Sequence, residues 1–163
     1  MAGDFDVVIL MGSKHDWAVM QHAATTLREL GISYAARVLS AHRTPAETAE
    51  YVRQADAAGV KVFIAAAGMS AHLAGAVAAW TVRPVLGVPL SGSELNGLDA
   101  LLATVQMPAG VPVGTLAIGK AGAINAALLA AAILANERPE LRTALLERRR
   151  QQADQIINTT LPE

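Results

Sequence analysis

The fold is decided by the stretch Val38-Leu39-Ser40-Ala41-His42-Arg43-Thr44-Pro45, in which an apolar run ends and a helix begins. The apolar run from Ile32 to Leu39 predicts a strand, and Thr44-Pro45-Ala46-Glu47 predicts the first turn of a helix. In that turn a threonine hydroxyl serves as N-cap, a proline takes the first helical position and a carboxylate the third. His42 and Arg43 are therefore expected in a short loop at the carboxyl end of a strand, where open α/β sheets bind their ligands.

His42 and Arg43 bring two kinds of chemistry to this loop. An imidazole gives or takes a proton near neutral pH, and a guanidinium offers a planar fork of donors that suits phosphate or carboxylate. Taken alone, the pair is more simply explained as two solvated residues ahead of a capped helix, because most polar loop residues are solvated. The other motifs of the chain reverse this interpretation and favour acid–base chemistry on an anionic substrate.

The length, charge and cysteine content limit the function classes. The chain has 163 residues, which predicts a single catalytic domain over 1–163 with a core over about 5–136. A formal net charge of −1 indicates neither a nucleic-acid surface nor a membrane surface, so the expected partner is a small molecule. The absence of cysteine excludes disulfides and thiolate metal sites, and the N-terminus lacks the pattern of an export signal, so we expect a cytoplasmic protein.

Strand-like runs alternate with helical segments along the whole chain. Strands are expected over about 6–11, 32–39, 60–66, 85–90 and 113–118, and helices over about 13–30, 45–58, 70–81, 97–105, 121–135 and 139–157. This alternation predicts an α/β fold: a three-layer, doubly wound parallel sheet with right-handed crossovers and a C-terminal helix. We expect the flavodoxin-like strand order 2-1-3-4-5, which opens a crevice between the first and third strands and brings the first three corners together.

The segment Ala121–Ala135 predicts an assembly of several copies. It is apolar or small on every side except at Asn125, which for a helix indicates burial all round. It is too short to span a bilayer. In so small a domain the simplest cover is another copy of the chain, so we expect a homo-oligomer in which the helix over about 139–157 packs on a neighbouring subunit.

A second candidate site is Gly12-Ser13-Lys14-His15-Asp16, which opens the first helix. Ser13 is the expected N-cap, and Asp16 completes an aspartate version of the capping box. Free backbone N–H groups at a helix start bind anions, although a carboxylate repels a phosphate placed beside it. A nucleotide monophosphate uses both residues, since its phosphate fits the hydroxyl and amides and its ribose hydroxyls fit the carboxylate. As a lone motif, a simple helix cap explains the same residues.

The sequence contains no complete motif for binding ATP, a dinucleotide or a metal ion. Gly114-Thr115-Leu116-Ala117-Ile118-Gly119-Lys120-Ala121 imitates a P-loop, but Ala121 stands where Ser or Thr must ligate magnesium, so ATP hydrolysis is rejected. No G-x-G-x-x-G follows the first strand, and no histidines and carboxylates have metal-ligand spacing. His72 shares the predicted crevice with His42, and both a site role and a structural role stay open for it.

Six ordered motifs resemble the class I PurE family over nearly the whole chain: Met11-Gly12-Ser13-Lys14-x-Asp16-Trp17, Ser40-Ala41-His42-Arg43-Thr44-Pro45, Ala71-His72-Leu73, Val85-Leu86-Gly87-Val88-Pro89, Gln106-Met107-Pro108-x-Gly110 and Gly114 through Gly122. The resemblance implies a 5-(carboxyamino)imidazole ribonucleotide mutase of de novo purine synthesis. It also implies a flavodoxin-like homo-octamer that needs no ATP, metal or organic cofactor.

The resemblance also implies residue roles. His42 would be the catalytic proton shuttle, acid first and base second, while the carboxylate leaves the exocyclic nitrogen as carbon dioxide and adds to ring carbon 4. Substrate-binding roles are implied for Gly12, Ser13, Asp16, Ser40, Ala41, Arg43, Gly68, Met69, Ser70, His72 and Leu73. The chain departs from the family pattern at Met69, Ser70 and Ala74, and at His15, which replaces a common serine and could add a pH-dependent contact to the phosphate.

Two alternatives stay open. A class II enzyme carboxylates aminoimidazole ribonucleotide directly, but class II tends to have Lys-Gly-Pro after the histidine, where this chain has Arg43-Thr44-Pro45. The other alternative is a non-catalytic flavodoxin-like module. A phosphoacceptor receiver needs an acidic cluster where Met11-Gly12-Ser13 stands, and a flavin carrier usually offers aromatic rings that these loops almost entirely lack.

Overall fold

The computed structural model describes residues 5–161 and contains one parallel sheet with the strand order β2-β1-β3-β4-β5. The strands are β1 (Val7–Met11), β2 (Tyr34–Val38), β3 (Val62–Gly68), β4 (Val85–Leu90) and β5 (Gly114–Thr115). The helices are α1 (Trp17–Glu29), α2 (Pro45–Ala57), α3 (Leu73–Ala78), α4 (Leu98–Val105), α5 (Lys120–Leu134) and α6 (Pro139–Ile157), with a 3-10 turn over Lys14–Asp16 leading into α1. The predicted flavodoxin-like strand order is confirmed.

The central strands are buried because helices cover both faces of the sheet. Alternate residues of β1 point to opposite sides: Ile9 packs in a cluster with α1 and α5, and Leu10 packs in a second cluster with α2 and α3. Every residue of β1 and β4 is buried, as the continuous apolar runs predicted. The strand carboxyl ends therefore share one edge, and the loops that follow them meet there.

The local structure differs from expectation at two helix starts. Thr44 occupies the N-cap position of α2, but its hydroxyl accepts a hydrogen bond from the Ser40 N–H at 2.8 Å and donates to the Ser40 carbonyl at 3.1 Å. It closes the Ser40–Thr44 loop instead of capping the helix. The helix predicted over about 70–81 is shorter: α3 begins at Leu73, and Ser70, which the sequence favoured as its cap, lies in a turn where its carbonyl accepts the His72 N–H at 2.8 Å.

The P-loop-like sequence Gly114–Ala121 covers β5, the loop after it and the start of α5. The fifth strand has only two residues, and the chain then runs beside β4, where the Leu116 N–H donates to Gly87 O and the Gly119 N–H to Pro89 O, both at 2.9 Å. A Cβ on Gly122 would overlap the backbone carbonyl of Ala117. Gly122, one residue after this motif, therefore allows α5 to pack closely on the loop.

In the single chain α5 is buried on one side only, and the predicted burial of its other side by further copies of the chain stays a prediction. One face, formed by Ala121, Asn125, Leu129 and Ala132, is exposed, because α1 and the sheet cover only the opposite face. Helix α6 buries Leu141 alone, and its residues from Arg149 onward are exposed. Within residues 5–161, none of the helices has the length and apolar character that a membrane span requires.

Candidate active site

The loops after β1, β2, β3 and β4 surround one crevice of about 720 Å³ at the carboxyl edge of the sheet. The structure brings together there all twelve residues proposed from the sequence: Gly12, Ser13, Asp16, Ser40, Ala41, His42, Arg43, Gly68, Met69, Ser70, His72 and Leu73. The walls also include His15, for which the sequence suggested a phosphate contact, and four residues that were not predicted: Ala67, Leu90, Ser91 and Gly92. Those after β4 could have been found by applying the strand-end rule to the fourth corner as well.

The first wall of the crevice is the capping box predicted at the start of the first helix. The Ser13 N–H donates to Asp16 Oδ2 at 2.9 Å, and the Ser13 hydroxyl oxygen accepts from the helix backbone in return. Burial raises the pKa of Asp16, while the hydrogen bond from Ser13 and the charges of His15 and Arg43 oppose this rise. One carboxylate oxygen of Asp16 is used by the cap, and the other can accept a hydrogen bond from a ligand.

Arg43 joins this wall to the loop after β2. Its Nη2 donates to the carbonyl of Gly12 at 2.6 Å, across 31 positions of sequence, and its Nε donates to Ser40 Oγ at 3.4 Å. The backbone N–H of Arg43 donates to the same hydroxyl oxygen at 3.2 Å. These contacts hold a permanent positive charge beside the carbonyl of Gly12, in the same crevice as the hydroxyl of Ser13. The corner combines a cation, a hydroxyl and a carboxylate, which is the donor and acceptor set that a sugar phosphate requires.

The second wall places two histidines in direct contact. His42 Nε2 and His72 Nδ1 are 2.8 Å apart, and the ring centroids are 4.9 Å apart with an interplanar angle of 79°. A hydrogen bond of this length needs an N–H on one ring and a lone pair on the other, so one proton lies between the two nitrogens. Such a pair can pass a proton to a ligand and take it back without help from solvent.

The loop after β3 shapes the space around this pair. Met69 has a left-handed backbone with φ of 54° and is 61% exposed, so its side chain lies at the open side of the crevice. Ala71 and Leu73 are buried beneath it and fasten the loop to the core. Among residues 5–161, no cluster of three or more His, Cys, Asp or Glu side chains has the arrangement of a metal site.

Comparison with known proteins identifies the family. The model of the family described as AIR carboxylase matches residues 6–155. The chain belongs to this family. Its relatives in the AIR carboxylase family include the N5-carboxyaminoimidazole ribonucleotide mutase of Brucella melitensis, 56% identical over 151 residues and covering 93% of each chain. The protein of that name from Pseudomonas aeruginosa is 51% identical over 156 residues, 96% of each chain.

A solved structure agrees with this assignment. The crystal structure of Treponema denticola PurE has a TM-score of 0.85 to this chain, with 30% sequence identity and 93% of each chain covered. The resemblance to the PurE family found in the sequence motifs is confirmed, as is the fold class.

Proposed function

We propose that this chain is an isomerase of purine biosynthesis that acts on N5-carboxyaminoimidazole ribonucleotide as a single catalytic domain. It moves the carboxylate from the exocyclic nitrogen to ring carbon 4 of the imidazole. The mutase names of its relatives support this reaction. The observation that supports it most is the 2.8 Å contact of His42 with His72, opposite a corner built for a sugar phosphate.

The reaction requires one proton transfer to the substrate and one proton transfer from it. Breaking the bond between the carbamate nitrogen and its carboxylate releases carbon dioxide, and protonated His42 delivers a proton to that nitrogen. Ring carbon 4 then attacks the carbon dioxide and becomes tetrahedral, and the now neutral His42 removes the proton from this carbon. The imidazole ends the cycle protonated, as it began, so no other acid or base is consumed. His72 orients the ring of His42 through their shared hydrogen bond.

The remaining crevice residues fit the parts of this substrate. Ser13, Asp16 and Arg43 would bind the ribose phosphate. Ser40 and Ala41 would contact the base, together with the loop over Gly68–Leu73, whose small and apolar side chains would retain the carbon dioxide between the two steps. Gly12 offers its carbonyl to Arg43 and so positions the guanidinium.

We also propose that the enzyme works in the cytoplasm as a homo-oligomer, an octamer if it follows the family it resembles. Three exposed apolar residues of α4 have the 4-3 spacing of a helix-packing seam, namely Leu98, Leu102 and Val105, and Leu95 is exposed in the turn before them. The exposed face of α5 includes Leu129, and the second half of α6 is exposed. Such surfaces are typical of subunit contacts, and α6 would pack on a neighbouring subunit.

Turnover of the carbamate nucleotide, with ATP and bicarbonate absent, tests the proposed reaction. We expect the wild type to form the 4-carboxylate, and His42→Asn to bind the substrate but lose activity by about 10² to 10⁴-fold, the usual contribution of a general acid–base. His22→Asn, which changes a histidine of α1 outside the crevice, is the matched control and should keep full activity.

Two outcomes would overturn parts of the proposal. A wild type that ignores the carbamate and converts aminoimidazole ribonucleotide only with added carbon dioxide would be a direct carboxylase. If His42→Asn stays active and His72→Asn does not, the proton shuttle is His72.

A further inference from the structure

His15 lies in the crevice but has no role in the proposed reaction. Its Nδ1 is 3.1 Å from Ser13 Oγ, and its backbone N–H donates to the same oxygen at 3.3 Å. The imidazole is exposed and forms part of the crevice wall beside the corner that would bind the substrate phosphate. It is therefore close enough to affect how Ser13 meets a phosphate.

Whether His15 Nδ1 carries a hydrogen controls what the Ser13 hydroxyl can do, because a hydroxyl has a single proton. When Nδ1 of a neutral ring bears no hydrogen, it accepts that proton, and Ser13 has nothing left to donate to a ligand. When the ring is cationic, Nδ1–H donates to Ser13 Oγ at the same distance, and the hydroxyl proton is free to point at a phosphate oxygen. Protonation thus releases a hydrogen-bond donor and adds a positive charge beside it.

We propose that His15 is a phosphate-binding residue of this site, and that it makes the affinity for a phosphorylated ligand rise as the pH falls. The proposal rests on the proposed function, because it assumes that the substrate phosphate lies at Ser13. An imidazole is suited to this role, since it is the side chain whose charge ordinarily changes between about pH 5 and 8.

Several charged groups surround His15. On its own element, the Asp16 carboxylate attracts the cationic ring and Lys14 repels it. From the loop after β2, Arg43 repels it and His42 shares the crevice, and His72 shares the crevice from the loop after β3. All of these groups are kept when His15 alone is changed, so comparing a variant at this position with the wild type at each pH isolates the contribution of His15.

The test measures binding of ribose 5-phosphate by calorimetry between pH 5.5 and 8, for the wild type and for His15→Asn. Asparagine keeps a polar group beside Ser13 but cannot become charged. The phosphate has its own second pKa near 6, so it stays negatively charged throughout this range, and both proteins meet the same mixture of its ionic forms at each pH. We expect this ratio to be about fivefold at pH 5.5, as for an exposed ionic contact, and about one at pH 8.

Three further measurements sharpen the result. His22→Asn, which changes a histidine of α1 outside the crevice, should bind ribose 5-phosphate like the wild type at every pH. His15→Lys should keep tight binding up to pH 8, because its charge persists. Ribose without phosphate should not distinguish the wild type from His15→Asn.

A ratio for His15→Asn that stays constant from pH 5.5 to 8 would overturn the proposal, as would a wild type that fails to bind ribose 5-phosphate. The mutase assay is scored separately. A wild type that lacks turnover but shows the expected pH-dependent ratio would refute the proposed reaction and support the role of His15.

Discussion

Replacing Gly122 with alanine is expected to destabilise the protein, although alanine is the better helix former by about 1 kcal/mol. Gly122 lies in the first turn of α5, and a Cβ there would overlap the carbonyl oxygen of Ala117 and stand 2.7 Å from its carbon. Carbon atoms in favourable contact are about 3.5 to 4.0 Å apart. The helix and the loop would therefore have to separate.

The neighbouring atoms have little freedom to give way. The Ala117 carbonyl belongs to the backbone, and hydrogen bonds from Leu116 and Gly119 to β4 hold its loop on both sides. Forcing extra volume into a packed site costs about 1 to 3 kcal/mol, and a rigid backbone neighbour places this site at the upper end. After the helix-propensity gain is subtracted, the expected loss in unfolding free energy is about 2 kcal/mol. For a protein of this size that lowers Tm by about 4 to 8 °C.

Thermal unfolding followed by circular dichroism, at one fixed protein concentration, measures this effect. Gly75→Ala is the matched control, because Gly75 is also inside a helix but its added Cβ would meet the flexible end of Met107, with Sδ at 3.2 Å. That variant should unfold within about 2 °C of the wild type. If Gly122→Ala unfolds at the same temperature as the wild type or higher, helix propensity outweighs the contact and the packing argument is wrong.

Two other predictions concern stability and assembly. Asp6 accepts hydrogen bonds from Arg138 Nη1 at 2.8 Å and from Ser33 Oγ at 2.9 Å, and the Arg138 hydrogen bonds hold the pKa of Asp6 below its usual range. Because the pKa of Asp6 is lower in the folded than in the unfolded protein, its carboxylate stabilises the fold above about pH 4, and this stability is lost as the pH falls through the folded-state pKa. Asp6→Asn should therefore lower the unfolding free energy by about 1 to 2 kcal/mol at pH 6 and by progressively less toward pH 2.5. Urea unfolding at both pH values checks this, and an equal loss at both would contradict it. On α4, the double substitution Leu98→Asp and Leu102→Asp should dissociate the oligomer, because charged side chains on an apolar surface oppose its burial in a subunit contact. Sedimentation velocity should then show a smaller particle while the circular dichroism spectrum stays native. An unchanged particle size would place the subunit contacts elsewhere.

Much of the site could be predicted because its parts are set by local patterns. The capping box needs only Ser13 and Asp16, three positions apart, and the structure contains it. Apolar runs bounded by glycine and proline placed strands and helices in alternation, and parallel strands joined by helices bring their carboxyl ends to one edge. The corner residues around His42 therefore had to lie near those around Ser13 and His72.

The contacts inside the crevice could not be predicted, because they join residues far apart in the chain. His42 meets His72 across 30 positions, and Arg43 reaches the Gly12 carbonyl across 31. The hydroxyl of Thr44 has the right position for a helix cap, yet a nearer partner in the folded loop takes it.

The sequence by itself determined the family, the order of the elements and the edge of the sheet where the site lies, because these follow from residue types at short spacing. Only the tertiary structure decided which histidine nitrogens face each other, how Arg43 and Asp16 divide their hydrogen bonds, and which face of α5 stays exposed. Those features depend on the distances between loops and on competition among polar groups for partners, and neither is recorded in the spacing of residues along one chain.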